Sequence, residues 1–215
     1  MADDTGRGTV THEELTRLQQ TVARRAAESK ATAPDAWMTV EVDMEQVAGE
    51  PLASTIKAAA LALRDFPRAN GAYRDGRFER YSRVNVGLVA AGADAFVAPT
   101  IFDADRLSVE EIARQARALG QRAAAGELTS PELSGGTFTI ASLAVRRFAP
   151  VLTPPQAAML GAGEVAPRPV VRDGAIVARR VAELTLVTDH RILYGADAAA
   201  FLGRIRSYLE APGRL

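Results

Sequence analysis

The chain has 215 residues, 22.8 kDa, with 26 Lys plus Arg against 26 Asp plus Glu and 47% hydrophobic residues. That length suits one substantial core, and zero formal net charge excludes the one-signed field that draws a protein to nucleic acid or an anionic membrane. The absence of cysteine excludes disulfides, thiol nucleophiles and Cys-ligated metal sites, and with no apolar leader and no run of about eighteen apolar residues a soluble cytoplasmic protein is expected.

Residues 1–10 are polar and read as a disordered lead-in to a single domain over 11–215. Thr11-His-Glu-Glu14 has capping-box spacing, and Leu15, Leu18, Val22 and Ala26 follow at intervals of three and four, which predicts a helix with one core-facing stripe through Ser29. Trp37 to Met44 alternates as a half-buried strand does, and Ser54 to Phe66 reads as a helix ending before Pro67. Tyr73 to Phe78 carries Asp75-Gly76, a hairpin turn signal. Val84 to Val89 and Phe96 to Ile101 are predicted strands. Ser108 to Ala125 is a strongly amphipathic helix with a serine cap and glutamates in its first turn, stopped by Gly126. Strands are predicted over Thr137 to Leu143, Ala157 to Ala162 and Glu183 to Thr188, a hairpin over Val170 to Ala178 around Asp173-Gly174, and a closing helix over Ala196 to Leu209. Strands and helices mix without βαβ alternation, which predicts an α+β sandwich.

Two histidines occur. His12 lies in the polar N-terminal region, as a solvated bystander would. His190 follows a strand and precedes a turn into a helix, where catalytic groups often sit; it fits either a structural imidazole or a general base. Gly161-Ala-Gly163 lacks the rest of a dinucleotide fingerprint, no phosphate loop occurs, and the two histidines are too far apart in sequence to suggest a metal site. Ser142 lacks the glycines of a hydrolase nucleophile elbow.

The order of segments resembles the catalytic domain of the dihydrolipoamide acyltransferases of 2-oxoacid dehydrogenase complexes, a fold shared with chloramphenicol acetyltransferase. The stretches that carry the resemblance include Thr39-Val-Glu-Val-Asp-Met44, Pro67-Arg-Ala-Asn70, Val84-Asn-Val-Gly87, Gly135-Gly-Thr-Phe-Thr-Ile140, Pro154-Pro-Gln-Ala-Ala158 and Asp189-His-Arg191. The resemblance implies an α+β chloramphenicol-acetyltransferase-like two-layer sandwich, a mixed sheet with flanking helices, assembled as a homotrimer with its active site in a channel between subunits. It implies that His190 is the general base that deprotonates an attacking thiol or hydroxyl. It also implies acetyl-CoA or another acyl-CoA as co-substrate, with no bound cofactor and no metal.

Three positions depart from the family pattern. Tyr194 stands where a carboxylate normally joins a bracing ion pair, Phe102 where an arginine is usual, and Ala141 where a serine hydroxyl donates to the tetrahedral oxyanion, a loss of about 3 to 4 kcal/mol in comparable sites. Ser142 and Thr139 are the candidate substitutes for that donor, although alternation points Ser142 to the face opposite Ala141. Tyr194, Phe138 and Ala141 are the candidate substrate-binding residues. No lipoyl domain fits before the first helix, so a stand-alone O-acetyltransferase acting on a small hydroxyl compound, with tetronate-type specialised metabolites among the candidates, is expected. Its acyl donor is expected to be acyl-CoA or the thioester of an acyl carrier protein. The tail Glu210 to Leu215 is a weak version of the apolar tail that joins trimers in larger cores, so free trimers are expected. The alternative is a non-catalytic trimeric scaffold, motivated by Tyr194 and Ala141 together.

Overall fold

The computed structural model describes residues 4–5, 8–211, 213 and 215; the rest of the predicted lead-in and of the C-terminal tail lies outside the described residues. Strands β1 (Asp4–Thr5) and β2 (Gly8–Thr9) pair antiparallel ahead of α1 (Arg17–Thr32). The first helix does not begin at Thr11. Two capping-box spacings occur in this stretch, and the structure uses the second: the Thr16 hydroxyl accepts from the Gln19 N–H at 3.2 Å while the Gln19 side chain accepts from the Thr16 N–H at 2.9 Å. Nor does the apolar stripe face a core within the chain, since Leu15 is 50% exposed, Leu18 37% and Val22 38%. Helical periodicity reports that a face is apolar and says nothing of what covers it. The helix is fastened at its C-terminal end, where the buried Ser29 hydroxyl donates to the Leu152 carbonyl at 2.6 Å.

Next come β3 (Asp35–Asp43) and α2 (Pro51–Asp65), the latter opened by a proline whose missing N–H would have been unpaired in any case. The hairpin β4 (Gly71–Arg74) and β5 (Arg77–Arg80) turns at Asp75 and Gly76, φ 48° and 75°, as the Asp-Gly signal requires. Strand β6 (Val86–Leu88) leads to β7 (Ala90–Ala91). The strand expected over Phe96 to Ile101 divides into β8 (Phe96–Val97), which pairs with β7, and β9 (Thr100–Ile101), which pairs with β6. The break falls at Ala98-Pro99, because Pro99 has no N–H for a ladder and its carbonyl instead accepts from Leu88 N–H at 2.9 Å.

Helix α3 (Val109–Ala125) is capped by Ser108 and stopped by Gly126 at φ 72°, as expected. A short helix without a sequence expectation, α4 (Ser130–Ser134), follows. The Glu132 carboxylate accepts from the Thr129 N–H at 2.8 Å, from the Thr129 hydroxyl at 2.6 Å and from Arg122. Arg122 first and Thr129 second hold its pKa down to about 2 from 4.5. A carboxylate with a depressed folded pKa contributes stability that is fully present above pH 4.5 and lost as pH falls through about 2. Glu132→Gln is therefore expected to flatten the acid limb of a plot of Tm against pH in that window; an unchanged limb would remove the assigned coupling.

The remaining elements are β10 (Phe138–Ser142), β11 (Ala158–Ala162), β12 (Ala166–Arg172), β13 (Ala175–Asp189) and α5 (Gly195–Glu210). The second arm of the Asp173-Gly174 hairpin and the strand expected over Glu183 to Thr188 are one continuous strand, β13, whose 15 residues pair with β12 first and with β11 and β3 later. The seven-stranded sheet runs β12-β13-β11-β10-β6-β9 with β3 also on β13; β10 is parallel to β11 and β6, and the other pairs are antiparallel. This is the mixed sheet with flanking helices that was expected.

Helices α2, α3 and α5 cover one face of the sheet. Phe138, Ile140, Leu160, Leu184 and Leu186 point into that core, with Phe138 edge-on to Phe201 at 5.9 Å. Full burial of such a side chain contributes about 1.5–3 kcal/mol. On the opposite face a smaller cluster joins Ala33, Ala141, Leu152, Met159 and Val187. There Gly161 and Gly163 have a packing role: a Cβ on Gly161 would strike the Phe148 carbonyl at 2.8 Å, and one on Gly163 would strike the Arg146 backbone. The same crossing brings Arg146 to the buried Glu183 carboxylate at 2.5 Å and Arg147 to 3.6 Å.

Candidate active site

Strand β13 ends at Asp189, and the turn that follows is held by many bonds. The Asp189 N–H donates to the Ala157 carbonyl at 2.8 Å, and the N–H groups of Ile192 and Leu193 donate back to the Asp189 carbonyl at 2.9 and 3.0 Å. Ile192 and Leu193 are buried and anchor the turn from below. The His190 N–H donates to the Pro34 carbonyl at 2.9 Å, tying it to the chain just before β3. The sequence thus presents the exposed His190 imidazole from a backbone that cannot drift.

The flanking charges are paired. Asp189 is 1% exposed and accepts two bonds from the Arg191 guanidinium at 2.9 and 2.6 Å, plus the Arg191 N–H at 3.0 Å. That carboxylate, chiefly by hydrogen bonding, holds Arg191 above the usual arginine range. The guanidinium also lies over the Tyr73 ring of the β4–β5 hairpin, 3.9 Å from its centroid. The hairpin is docked here by Tyr73 N–H to the Pro155 carbonyl at 3.0 Å and by Ala157 N–H to the Gly71 carbonyl at 2.8 Å. The Pro154-Pro155 peptide bond is cis.

Of the sequence candidates, the structure brings His190 and Tyr194 together, with ring centroids 5.7 Å apart. Thr139 and Ala141 project from the sheet face opposite the helices. The Thr139 hydroxyl donates to Gln156 Oε1 at 2.8 Å, and Gln156 Nε2 donates to the Gly136 carbonyl at 3.0 Å. Ala141 lies in the small apolar cluster. Ser142 points to the other face, as alternation requires, into a cleft of ≈ 240 Å³ lined by Leu52, Thr55, Gly163 and Glu164. Phe138 is fully enclosed in the main core and presents no surface. His12 is exposed on the segment before α1.

Sheet register sets the separations. Ala141 pairs through Gly161 with Thr185, and Thr139 through Met159 with Val187. With about 4.8 Å between strands and about 3.3 Å per residue, Ala141 is roughly 19 Å and Thr139 roughly 14 Å from the His190 backbone of the same chain. Within one chain the imidazole and the expected oxyanion positions do not converge.

Sequence reasoning missed Arg68, Tyr73, Phe78 and Gln156. Arg68 donates to the Ile192 carbonyl at 3.0 Å, and its guanidinium lies 5.5 Å from the Phe78 centroid and 5.8 Å from that of Tyr194. Arg68 lies in Pro67 to Asn70 and Gln156 in Pro154 to Ala158, stretches that carried resemblance but no chemistry of their own, and Tyr73 and Phe78 showed only as arms of a hairpin.

A mixed sheet covered by helices, with an exposed histidine held at a strand end beside a buried aspartate that pairs with an arginine, defines a chloramphenicol-acetyltransferase-like domain; chloramphenicol acetyltransferase itself superposes with TM-score 0.57 at 15% identity, over 86% of this chain and 94% of that one. The chain belongs to the family described as 2-oxoacid dehydrogenases acyltransferase (catalytic domain), whose pattern matches residues 7–215. It is 33% identical, over 94% of its length and 56% of the relative's, to the dihydrolipoyllysine-residue acetyltransferase component of the acetoin cleaving system of Bacillus subtilis. A probable dihydrolipoamide acetyltransferase from Listeria monocytogenes superposes with TM-score 0.89 at 30% identity, covering 94% of this chain and 95% of that one. The Azotobacter vinelandii dihydrolipoamide acetyltransferase does so with TM-score 0.93 at 26% identity, covering 100% and 97%; that structure was reported in a study of a serine, a histidine and an asparagine in its catalytic mechanism. The chain spans about half the length of the curated relatives it matches.

Proposed function

We propose that this chain is an acyltransferase that moves an acetyl group from acetyl-CoA, or from the thioester of a carrier protein, to the hydroxyl of a small acceptor. The observation that carries the reading is the exposed His190, whose backbone is fixed by its main-chain N–H donating to the Pro34 carbonyl and lies beside the Asp189–Arg191 pair. In the reaction the imidazole takes the acceptor's O–H proton as the oxygen adds to the thioester carbonyl carbon. The tetrahedral oxyanion then collapses, the C–S bond breaks, and the imidazolium returns the proton to the departing sulfur.

The working unit is a homotrimer in which a neighbouring subunit supplies the oxyanion side of the site. Two observations support this. Ala141 and Thr139 are too far from His190 of the same chain by the sheet register. The α1 stripe of Leu15, Leu18 and Val22 and the 60% exposed Trp37 are apolar surface left uncovered by the chain itself. Of the candidate oxyanion donors, Thr139 lies on the same sheet face as Ala141 and serves once its hydroxyl leaves Gln156. Tyr194 follows His190 at the interval that separates the asparagine from the histidine in the Azotobacter enzyme, and a phenol there reshapes the acceptor side, which favours an acceptor other than dihydrolipoamide.

A second reading, a non-catalytic trimeric scaffold that binds a carrier or dehydrogenase partner, is favoured by the Ala141 and Tyr194 replacements. Calorimetric titration with acetyl-CoA, followed by acetyl-transfer assays against a panel of alcohols and dihydrolipoamide, separates the readings. Micromolar binding and transfer to an alcohol faster than to dihydrolipoamide are expected. Faster transfer to dihydrolipoamide would overturn the hydroxyl acceptor, and binding without any turnover would leave the scaffold.

A further inference from the structure

The geometry points to an anion-recognition element on the acceptor side of His190, formed by Arg68 and Tyr194, that selects a hydroxy compound bearing a planar negatively charged group, a carboxylate in the simplest case. This deepens the proposed function and rests on its placement of the acceptor at His190.

The local charges are unevenly matched. Arg191 is neutralised by Asp189, and Arg74 is paired with Glu79 at 3.1 Å. Asp65, close to Arg68 in sequence, is engaged by Arg204 at 3.3 Å and by the Tyr208 hydroxyl at 2.9 Å. Arg68 has no carboxylate within ion-pair distance among the described residues; its one hydrogen bond runs from Nη2 to the Ile192 carbonyl. A guanidinium has five N–H donors in a fixed fork, so most of its donor edge is uncommitted.

That edge is held in place rather than free to wander. The guanidinium lies beside both the Phe78 and the Tyr194 rings, which restrains its plane while leaving its rim open to a second planar group. Tyr194 is at once the neighbour of Arg68 and of the His190 ring. It is also the N-cap of α5 and makes no capping hydrogen bond through its side chain, so the positive end of that helix adds to the same wall, offset in part by Asp197 in the first turn. A small molecule with its hydroxyl at His190 and a carboxylate at Arg68 would lie across the Tyr194 ring.

The phosphates of CoA are the other source of negative charge, and the test separates the two. Benzoate and its uncharged counterpart benzamide are titrated into the intact protein and followed by ligand-observed NMR, with acetyl-CoA affinity measured in parallel. Benzoate is expected to bind about tenfold more tightly than benzamide. Arg68→Ala is expected to bring the two within about twofold while leaving acetyl-CoA affinity unchanged, and Arg68→Lys to restore part of the preference. His190→Ala is expected to keep the preference intact, so anion selectivity in a protein without acyl transfer would count against the catalytic reading alone. The proposal is overturned if benzoate shows no preference or no binding, if the preference survives Arg68→Ala, or if that substitution weakens acetyl-CoA instead.

Discussion

His190→Ala is expected to lower the rate of acetyl transfer by about 10²- to 10⁴-fold, the range for loss of a positioned general base, with little change in acetyl-CoA affinity or in Tm. The side chain is exposed and its backbone bonds are made by its N–H and by its neighbours, so the alanine variant keeps the turn intact. A steady-state assay with thermal unfolding as control reads both effects. A variant that turns over at the original rate would remove His190 from the chemistry and leave the scaffold reading standing.

A large stability effect is expected at Arg191. Asp189 is buried at the end of β13, and Arg191→Ala leaves its carboxylate with the Arg191 N–H but without the two guanidinium bonds. Removing one partner of a buried pair costs about 3–5 kcal/mol; because the Arg191 side chain is 29% exposed and water can follow it out, the lower figure applies. For a chain of this size about 3 kcal/mol lowers Tm by roughly 6–12 °C. Adding Asp189→Asn removes the orphaned charge, so the double variant is expected to recover much of the loss in a double-mutant cycle. A double variant as unstable as Arg191→Ala alone would show that the damage is to packing over Tyr73 rather than to charge pairing.

Elements whose signals are local were legible in the sequence. Asp75-Gly76 supplied the positive φ values its hairpin needs, and Ser108 with Glu111 closed a cap whose partners are three residues apart. The α1 start shows where local reasoning fails: Thr11/Glu14 and Thr16/Gln19 have the same spacing, and the chosen one is known only from the folded backbone. The length of β13 was hidden for a related reason. Its first part is paired on one edge with β12 and reads as a hairpin arm, its second part is buried between β3 and β11 and reads as a separate apolar strand, and the change in partners looks like a break.

The candidate site divides along the same line. The sequence by itself determined the fold class, the family pattern and the place of His190 between a strand and a helix, because these rest on periodicity, turn chemistry and the order of segments. It also put Ser142 and Ala141 on opposite faces, since a strand alternates whatever it packs against. Only the tertiary structure decided that Thr139 donates to Gln156, that Phe138 is sealed in the core, and that the sheet register sets Ala141 and Thr139 well away from the His190 backbone of the same chain. The same holds for Arg68, whose sequence neighbourhood says nothing of Tyr194 and Phe78. Long-range contacts of this kind follow from how a sheet and its helices close on each other, and no interval along the chain encodes the distance between their ends.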